Sequence, residues 1–180
     1  MNIPDLAEMG PRISIFGPSN AGKSSLAVAL GQRLGIAHIH LDLLYHTPNT
    51  DWVPRSPAEF DRLHAAAIAD DRWIMEGNYM RLLTERIGRT TGIILLGTDR
   101  WSALRRYVTR TLFDRRRLGI HEGTRDRLNA EMVRFIMVEQ PGKRQRDIAL
   151  LRDTGLPMVQ LENMRQLKTL YSAWSLDLGL

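Results

Sequence analysis

Five short apolar runs punctuate the chain, at residues 12–16, 36–41, 73–75, 91–96 and 158–161. Each has the length of a strand, and each is followed by polar or glycine residues. Between the runs the apolar positions move to helical spacing. Leu26, Leu30 and Leu34 share a face from about Lys23 onward, and Gly35 stands where a helix cap belongs. Residues 47–57 are rich in Pro, Asp and Asn and read as a loop. Ser56, Pro57 and Glu59 then open a helix, with Ser as N-cap, Pro at the first position and Glu completing a capping box. That helix turns Phe60, Leu63, Ala67 and Ile68 inward and ends near Asp70. Residues 100–118 suit a long basic helix. A further helical region is expected from about Arg125, interrupted at Pro141-Gly142, and a last helix over 165–176. Strands alternating with helices imply a parallel sheet covered on both faces.

Such sheets bind ligands beyond the carboxyl ends of their strands. Three polar positions converge there: the loop from Gly17, Asp42 after the second strand, and Glu76 after the third. The loop reads Gly17-Pro18-Ser19-Asn20-Ala21-Gly22-Lys23-Ser24, a full match to G-x-x-x-x-G-K-[ST], with a strand before it and a helix after it. Glycines let the backbone curl so that successive N–H groups face an anion. Gly17, Ser19, Asn20, Ala21, Gly22, Lys23, Ser24 and Ser25 are therefore the expected nucleotide-binding set. Lys23 is expected to reach the β- and γ-phosphates and Ser24 to ligate Mg²⁺. ATP and Mg²⁺ are the cofactors this motif calls for.

Composition narrows the chemistry. With 180 residues the chain fits one domain, residues 1–180. There is no cysteine, so thiolate catalysis, thiolate metal sites and disulfides are excluded. No run is long enough to span a bilayer and no signal-peptide layout is present, so a cytoplasmic location is expected. The net charge is +5, and Lys23, Lys143 and Lys168 are the three lysines among 25 basic residues. Arg105, Arg106, Arg110, Arg115, Arg116 and Arg117 crowd one stretch, followed by Arg125 and Arg127. Arginines placed there suit a lid that neutralises charge on a transferring phosphoryl group. Arg106 and Arg110 share a helical face, and the spacing does not choose between them and Arg115 or Arg117.

Asp42 is placed to accept a proton from an acceptor hydroxyl or to hold Mg²⁺ through water. Glu76 is placed to orient the metal's water shell, Gly77 to let an acceptor approach the backbone, and Asn78 and Tyr79 to hydrogen-bond it. His38 and His40 read as strand residues near the site, since the five histidines lack zinc spacing. Trp73, Trp101 and Trp174 read as packing residues, and Trp52 as a residue bordering an acceptor.

Taken together, residues 17–24, Leu41-Asp42-Leu43-Leu44-Tyr45, residues 73–79 and Arg100-Trp101 before an Arg-rich helix resemble the adenylate-kinase-related P-loop proteins. Within that group the chain is most similar to the subgroup labelled DNA topology modulation (FlaR-like) proteins, over nearly its whole length. The resemblance implies a three-layer P-loop NTPase fold of nucleoside/nucleotide-kinase type, with a five-stranded parallel sheet in the order 2-3-1-4-5. It also implies an acceptor-side helical region at about 47–70 and an Arg-rich lid at about 113–125. Two positions depart from the group's pattern: Glu76 stands where it usually has Asp, and Gly97 where it tends to have an Asp after the fourth strand.

The expected activity is transfer of the γ-phosphate of Mg·ATP to a small-molecule acceptor, with Lys23, Asp42, Arg106, Arg110 and Arg115 as catalytic residues. Glu76, Gly77, Asn78, Tyr79 and Arg81 join Asp42 on the acceptor side, and Ser24 and Glu76 face the metal. A neutral hydroxyl acceptor would make Asp42 the base; a nucleoside monophosphate would need Arg81 or Arg86 for its phosphate. The rival classes are a nucleic-acid-associated ATPase, on the strength of the basic charge, and a nucleotide-binding switch with little turnover, on the strength of Gly97. The nucleic-acid reading is the runner-up and the switch the third; a phosphoryl-transfer lid accounts for the arginines better than nucleic-acid binding, since no aromatic platform interleaves them. Monomer and homodimer are both compatible with the sequence.

Overall fold

The computed structural model describes residues 3–113 and 128–177. Five parallel strands form one sheet: β1 Arg12–Phe16, β2 His38–His40, β3 Trp73–Glu76, β4 Gly92–Leu96 and β5 Met158–Leu161, ordered β2-β3-β1-β4-β5. This is the expected sheet order. The alternation of side chains along a strand divides the core in two. Ile13, Ile15, Ile74, Ile94, Leu96, Val159 and Leu161 point to one face, where they pack on helices α1 Lys23–Leu34 and α8 Met164–Ala173. On the other face Trp73 and Met75 pack on α3 Pro57–Ala69, while Phe16, Ile93 and Leu95 pack on α4 Leu83–Ile87 and α7 Gln140–Arg152. Three layers result, α/β/α, with every residue of β3 and β4 buried.

Local signals in the sequence act as expected at several ends. The Ser56 hydroxyl accepts the Glu59 N–H at 3.3 Å and Pro57 begins α3. Gly35 closes α1 in the left-handed region at φ 61°. The Glu59 carboxylate, however, goes to Arg55 rather than back to the cap, so the box is half made.

Four expectations change. The run at 36–41 is strand only over His38–His40, and Leu41 begins a five-residue helix, α2 Leu41–Tyr45, that carries Asp42. The third helical region is not interrupted at Pro141-Gly142. Helix α6 Ala130–Arg134 runs through a π-wound turn, Phe135–Glu139, straight into α7. Pro141 falls in the first turn of α7, where a missing N–H costs least. The third change is Trp101, which does not pack: it lies on the outer face of α5 Arg100–Phe113, 63% exposed. The last concerns Arg86, which is not on the acceptor surface but entirely buried. The expected lid residues 114–125, with Arg115, Arg116, Arg117 and Arg125, and also Arg127, lie outside the described residues.

Candidate active site

The phosphate loop leaves β1 at Gly17, whose φ is 144°. A side chain there would meet the Leu96 carbonyl oxygen at 2.6 Å, so only glycine fits. Asn20 and Gly22 also take positive φ, 62° and 94°, and the curl ends where Lys23 opens α1. Two loop N–H groups already hold side-chain oxygens. Gly17 donates to Asn78 Oδ1 at 3.1 Å, and Ser19 donates to Gln140 Oε1 at 2.9 Å. The Lys23 ammonium rests on the Pro18 carbonyl at 3.0 Å. Side-chain oxygens thus occupy N–H groups of the loop, as an anion would in a backbone cradle.

The β3 side supplies the carboxylate. Glu76 Oε1 accepts both the Ser24 hydroxyl at 2.9 Å and His40 Nδ1 at 2.8 Å. An ionised carboxylate only accepts, so the Nδ1 nitrogen carries the proton. His40 and Glu76 are direct partners in the β2–β3 register, and both are buried. Burial alone would raise the Glu76 carboxyl. The His40 hydrogen bond, the Lys23 charge and the Ser24 hydroxyl outweigh it, and the group lies below the usual carboxylate range. His40, expected to be a bystander, is therefore a structural partner of the acidic residue. Only the cross-strand register, which the sequence does not print, shows this.

Among the described residues no cluster of three or more His, Asp or Glu side chains could enclose a metal. Mg²⁺ does not need one, because it keeps waters and phosphate oxygens and takes one or two protein oxygens. Ser24 Oγ and Glu76 Oε1, 2.9 Å apart at the loop's end, fit that requirement.

Asp42 and Tyr79, both expected on the acceptor side, form a hydrogen-bonded pair. The Tyr79 hydroxyl donates to Asp42 Oδ1 at 2.7 Å. Burial first, then the Asp42 charge, push the Tyr79 hydroxyl far up, so it remains a proton donor at any ordinary pH. Tyr79 sits at φ 27°, an uncommon backbone for a bulky residue. Ring contacts with Tyr45 and Phe60, at 5.0 and 5.1 Å between centroids, hold it there together with the bond to Asp42. A cavity of about 400 Å³ opens beside it, lined by Phe16, Leu95, Tyr79, Met80, Phe135 and Gln140 among others, with Arg146 and Asp147 at the α7 side. Trp52, expected to border an acceptor, is not in that wall and lies edge-on to His46 at 5.0 Å.

The arginines divide sharply. Arg86 is fully buried, donates to the Gly77 and Asn78 carbonyls at 2.9 and 2.7 Å, and lies 4.4 Å over the Phe16 ring. Burial lowers its guanidinium to about 9, partly offset by Glu76. Arg81 is paired with Asp61 across to α3, on the surface. Arg106 of α5 reaches the phosphate loop itself, donating to the Asn20 carbonyl at 2.6 Å and to Thr98 Oγ1. Arg110 follows one turn later on the same helix. Ser25 is exposed one position past Ser24. Gln140 had no signal in the sequence, because nothing in a helical glutamine marks it as reaching a loop more than a hundred residues away.

No protein-family model matches the chain, and no curated protein matches it. Among solved structures it is similar to a protein described as a "putative kinase" from Chloroflexus aurantiacus J-10-fl. The TM-score is 0.52 with 16% identity, over 84% of this chain and 88% of that one. At that identity the likeness concerns the fold alone, a three-layer α/β/α arrangement on a parallel sheet.

Proposed function

We propose that the chain is an ATP-dependent phosphotransferase acting on a small hydroxyl compound that carries no phosphate of its own. The observation that carries this reading is the Gly17–Ser24–Glu76–His40 arrangement: a loop whose N–H groups hold oxygens, ending at a hydroxyl and a buried ionised carboxylate. Mg²⁺, when bound, would offset the negative charge of the phosphates. Lys23 would leave the Pro18 carbonyl for the β- and γ-phosphates, and Ser24 and Glu76 are the residues that would hold the metal. Arg106, tied to the loop at Asn20, keeps a positive charge against the phosphate side. In the transfer the bond from the γ-phosphorus to the β-bridging oxygen breaks. A bond from the acceptor hydroxyl oxygen forms, the hydroxyl proton passes to Asp42, and ADP leaves.

The acceptor class follows from the arginines. A phosphate-bearing acceptor needs a guanidinium or ammonium aimed at it. Arg81 is engaged by Asp61 and Arg86 lies beneath the Gly77-Asn78 backbone. The groups on this side are the Asp42–Tyr79 pair, the apolar cavity walls that Tyr79 shares and, at the α7 rim, the exposed Arg146 beside Asp147, its opposite charge. With the rim charges adjacent and opposite, the interior suits a neutral body with a hydroxyl near Asp42.

The test is ADP release from Mg·ATP with nucleosides, polyhydroxy compounds, nucleoside monophosphates and 5′-hydroxyl oligonucleotides, and with Lys23→Ala as control. Stimulation by a phosphate-free hydroxyl compound, falling about 100-fold or more in Lys23→Ala, is expected. Phosphorylation of a nucleoside monophosphate would refute the acceptor class. Stimulation by DNA or RNA without phosphate transfer would refute the phosphotransferase.

A further inference from the structure

Gln140 stands at a junction. Its side chain is nearly buried, its Oε1 accepts the Ser19 N–H of the phosphate loop at 2.9 Å, and the same residue lines the 400 Å³ cavity. Gly17 and Pro18 line that cavity too. A transferring phosphoryl group has to lie between the phosphate loop and the acceptor, and Gln140 is a side chain that touches both. Its amide oxygen takes the place a terminal phosphate oxygen would take on the Ser19 N–H.

The local winding puts it there. Phe135 and Gln140 both line the cavity, five residues apart. In an α-helix that spacing turns through 500°, leaving the two side chains about 140° apart around the axis. In a π-wound turn, i and i+5 share a face. The segment Phe135–Glu139 is π-wound, and the Gln140 N–H closes it on the Phe135 carbonyl. Ile136, within the same turn, is fully buried with Ala103 and Tyr107 of α5. That is the helix whose Arg106 grips the next loop residue, Asn20. Successive loop residues, Ser19 and Asn20, are thus held by α7 and α5 in turn.

We infer that Gln140 is a placeholder for the terminal phosphate. A nucleoside triphosphate must displace its amide oxygen from the Ser19 N–H, and a diphosphate need not. Gln140 thereby sets how strongly the site prefers ATP to ADP. This inference rests on the phosphotransferase reading of the loop.

The test is binding rather than turnover. Dissociation constants for Mg·ADP and for a non-hydrolysable Mg·ATP analogue are measured by calorimetry on the full chain, for wild type, Gln140→Met and Gln140→Glu. Methionine keeps the volume and removes the acceptor, so it is expected to tighten the triphosphate analogue by about three- to tenfold. Glutamate keeps the acceptor and adds a charge facing the phosphate, so it is expected to weaken the analogue by about tenfold or more. ADP affinity is expected to stay within about twofold in both. Parallel changes for the two nucleotides, or an unchanged analogue affinity in Gln140→Met, would overturn the inference while leaving the nucleotide site intact. A wild-type chain that binds neither nucleotide overturns the phosphotransferase reading, and this inference falls with it.

Discussion

The two flanks of the phosphate loop are held in different ways. On the β3 side the contacts interlock around three buried side chains, Glu76, His40 and Arg86: Glu76 with His40 and Ser24, Arg86 beneath the Gly77-Asn78 backbone, and Tyr79 on Asp42 beside them. On the α5–α7 side, Arg106 on Asn20 and Gln140 on Ser19 join the helical layer to the loop, and apolar side chains such as Leu112, Leu128, Met132 and Val138 lie exposed nearby in sequence. The first flank fixes its polar side chains at defined distances, which the proposed in-line transfer would require of Asp42 and Glu76. The second uses contacts that, on the inference drawn for Gln140, a phosphate would replace.

The largest contrast should appear on removing an arginine from each flank. Arg86→Leu strands two carbonyls and is expected to cost about 3–5 kcal/mol of unfolding free energy. Arg106→Leu, at a half-buried site, is expected to cost about 1 kcal/mol. Urea unfolding of the two variants checks this, and equal losses would erase the distinction between the flanks.

His64 sharpens it. The side chain is fully buried on α3, with Nδ1 3.8 Å from Glu85 Oε2. Burial first, then the Arg86 charge, bring its imidazole down to about 4. The fold therefore holds it neutral while the unfolded chain takes a proton below about pH 6.5. Stability is complete above pH 6.5 and is lost as pH falls toward 4, by about 3 kcal/mol. His64→Leu should flatten that part of the pH profile, and a slope that persists would place the titration elsewhere.

Glu76 acts lower on the scale. Its folded carboxyl lies below the unfolded value, so its contribution is present above about pH 4.5 and is lost as pH falls through the folded value. Glu76→Gln should remove this acid-side loss and weaken Mg²⁺-dependent nucleotide binding about tenfold. An unchanged Mg²⁺ dependence would detach Glu76 from the metal. The smallest effect is expected for Tyr79→Phe, which loses one hydrogen bond to Asp42, about 1 kcal/mol by thermal unfolding.

The parts legible from the sequence are those decided locally. The strand, glycine loop and helix around Lys23 are dictated by backbone geometry, and the Ser56-Pro57 start by capping. The sheet order came with the resemblance, and the observed order agrees with it. What escaped depends on register or on distant packing. The His40–Glu76 pair follows from how β2 lies on β3, and Gln140 reaches Ser19 only because a π-wound turn changes the phase of α7. Arg86 looked like a phosphate ligand because charge usually stays outside; here two backbone carbonyls and an aromatic face hold it inside. Pro141 looked like a break because its place in the first turn of α7 cannot be read from a periodicity that the π-wound turn disturbs.

The central claim, that residues 17–24 and Glu76 form a Mg·nucleotide site, is tested most directly by calorimetric titration of ATP with and without Mg²⁺, on wild type and Lys23→Ala. Binding that strengthens with Mg²⁺ and falls by about 100-fold in Lys23→Ala is predicted. ATP affinity that is unchanged in Lys23→Ala and indifferent to Mg²⁺ would contradict it.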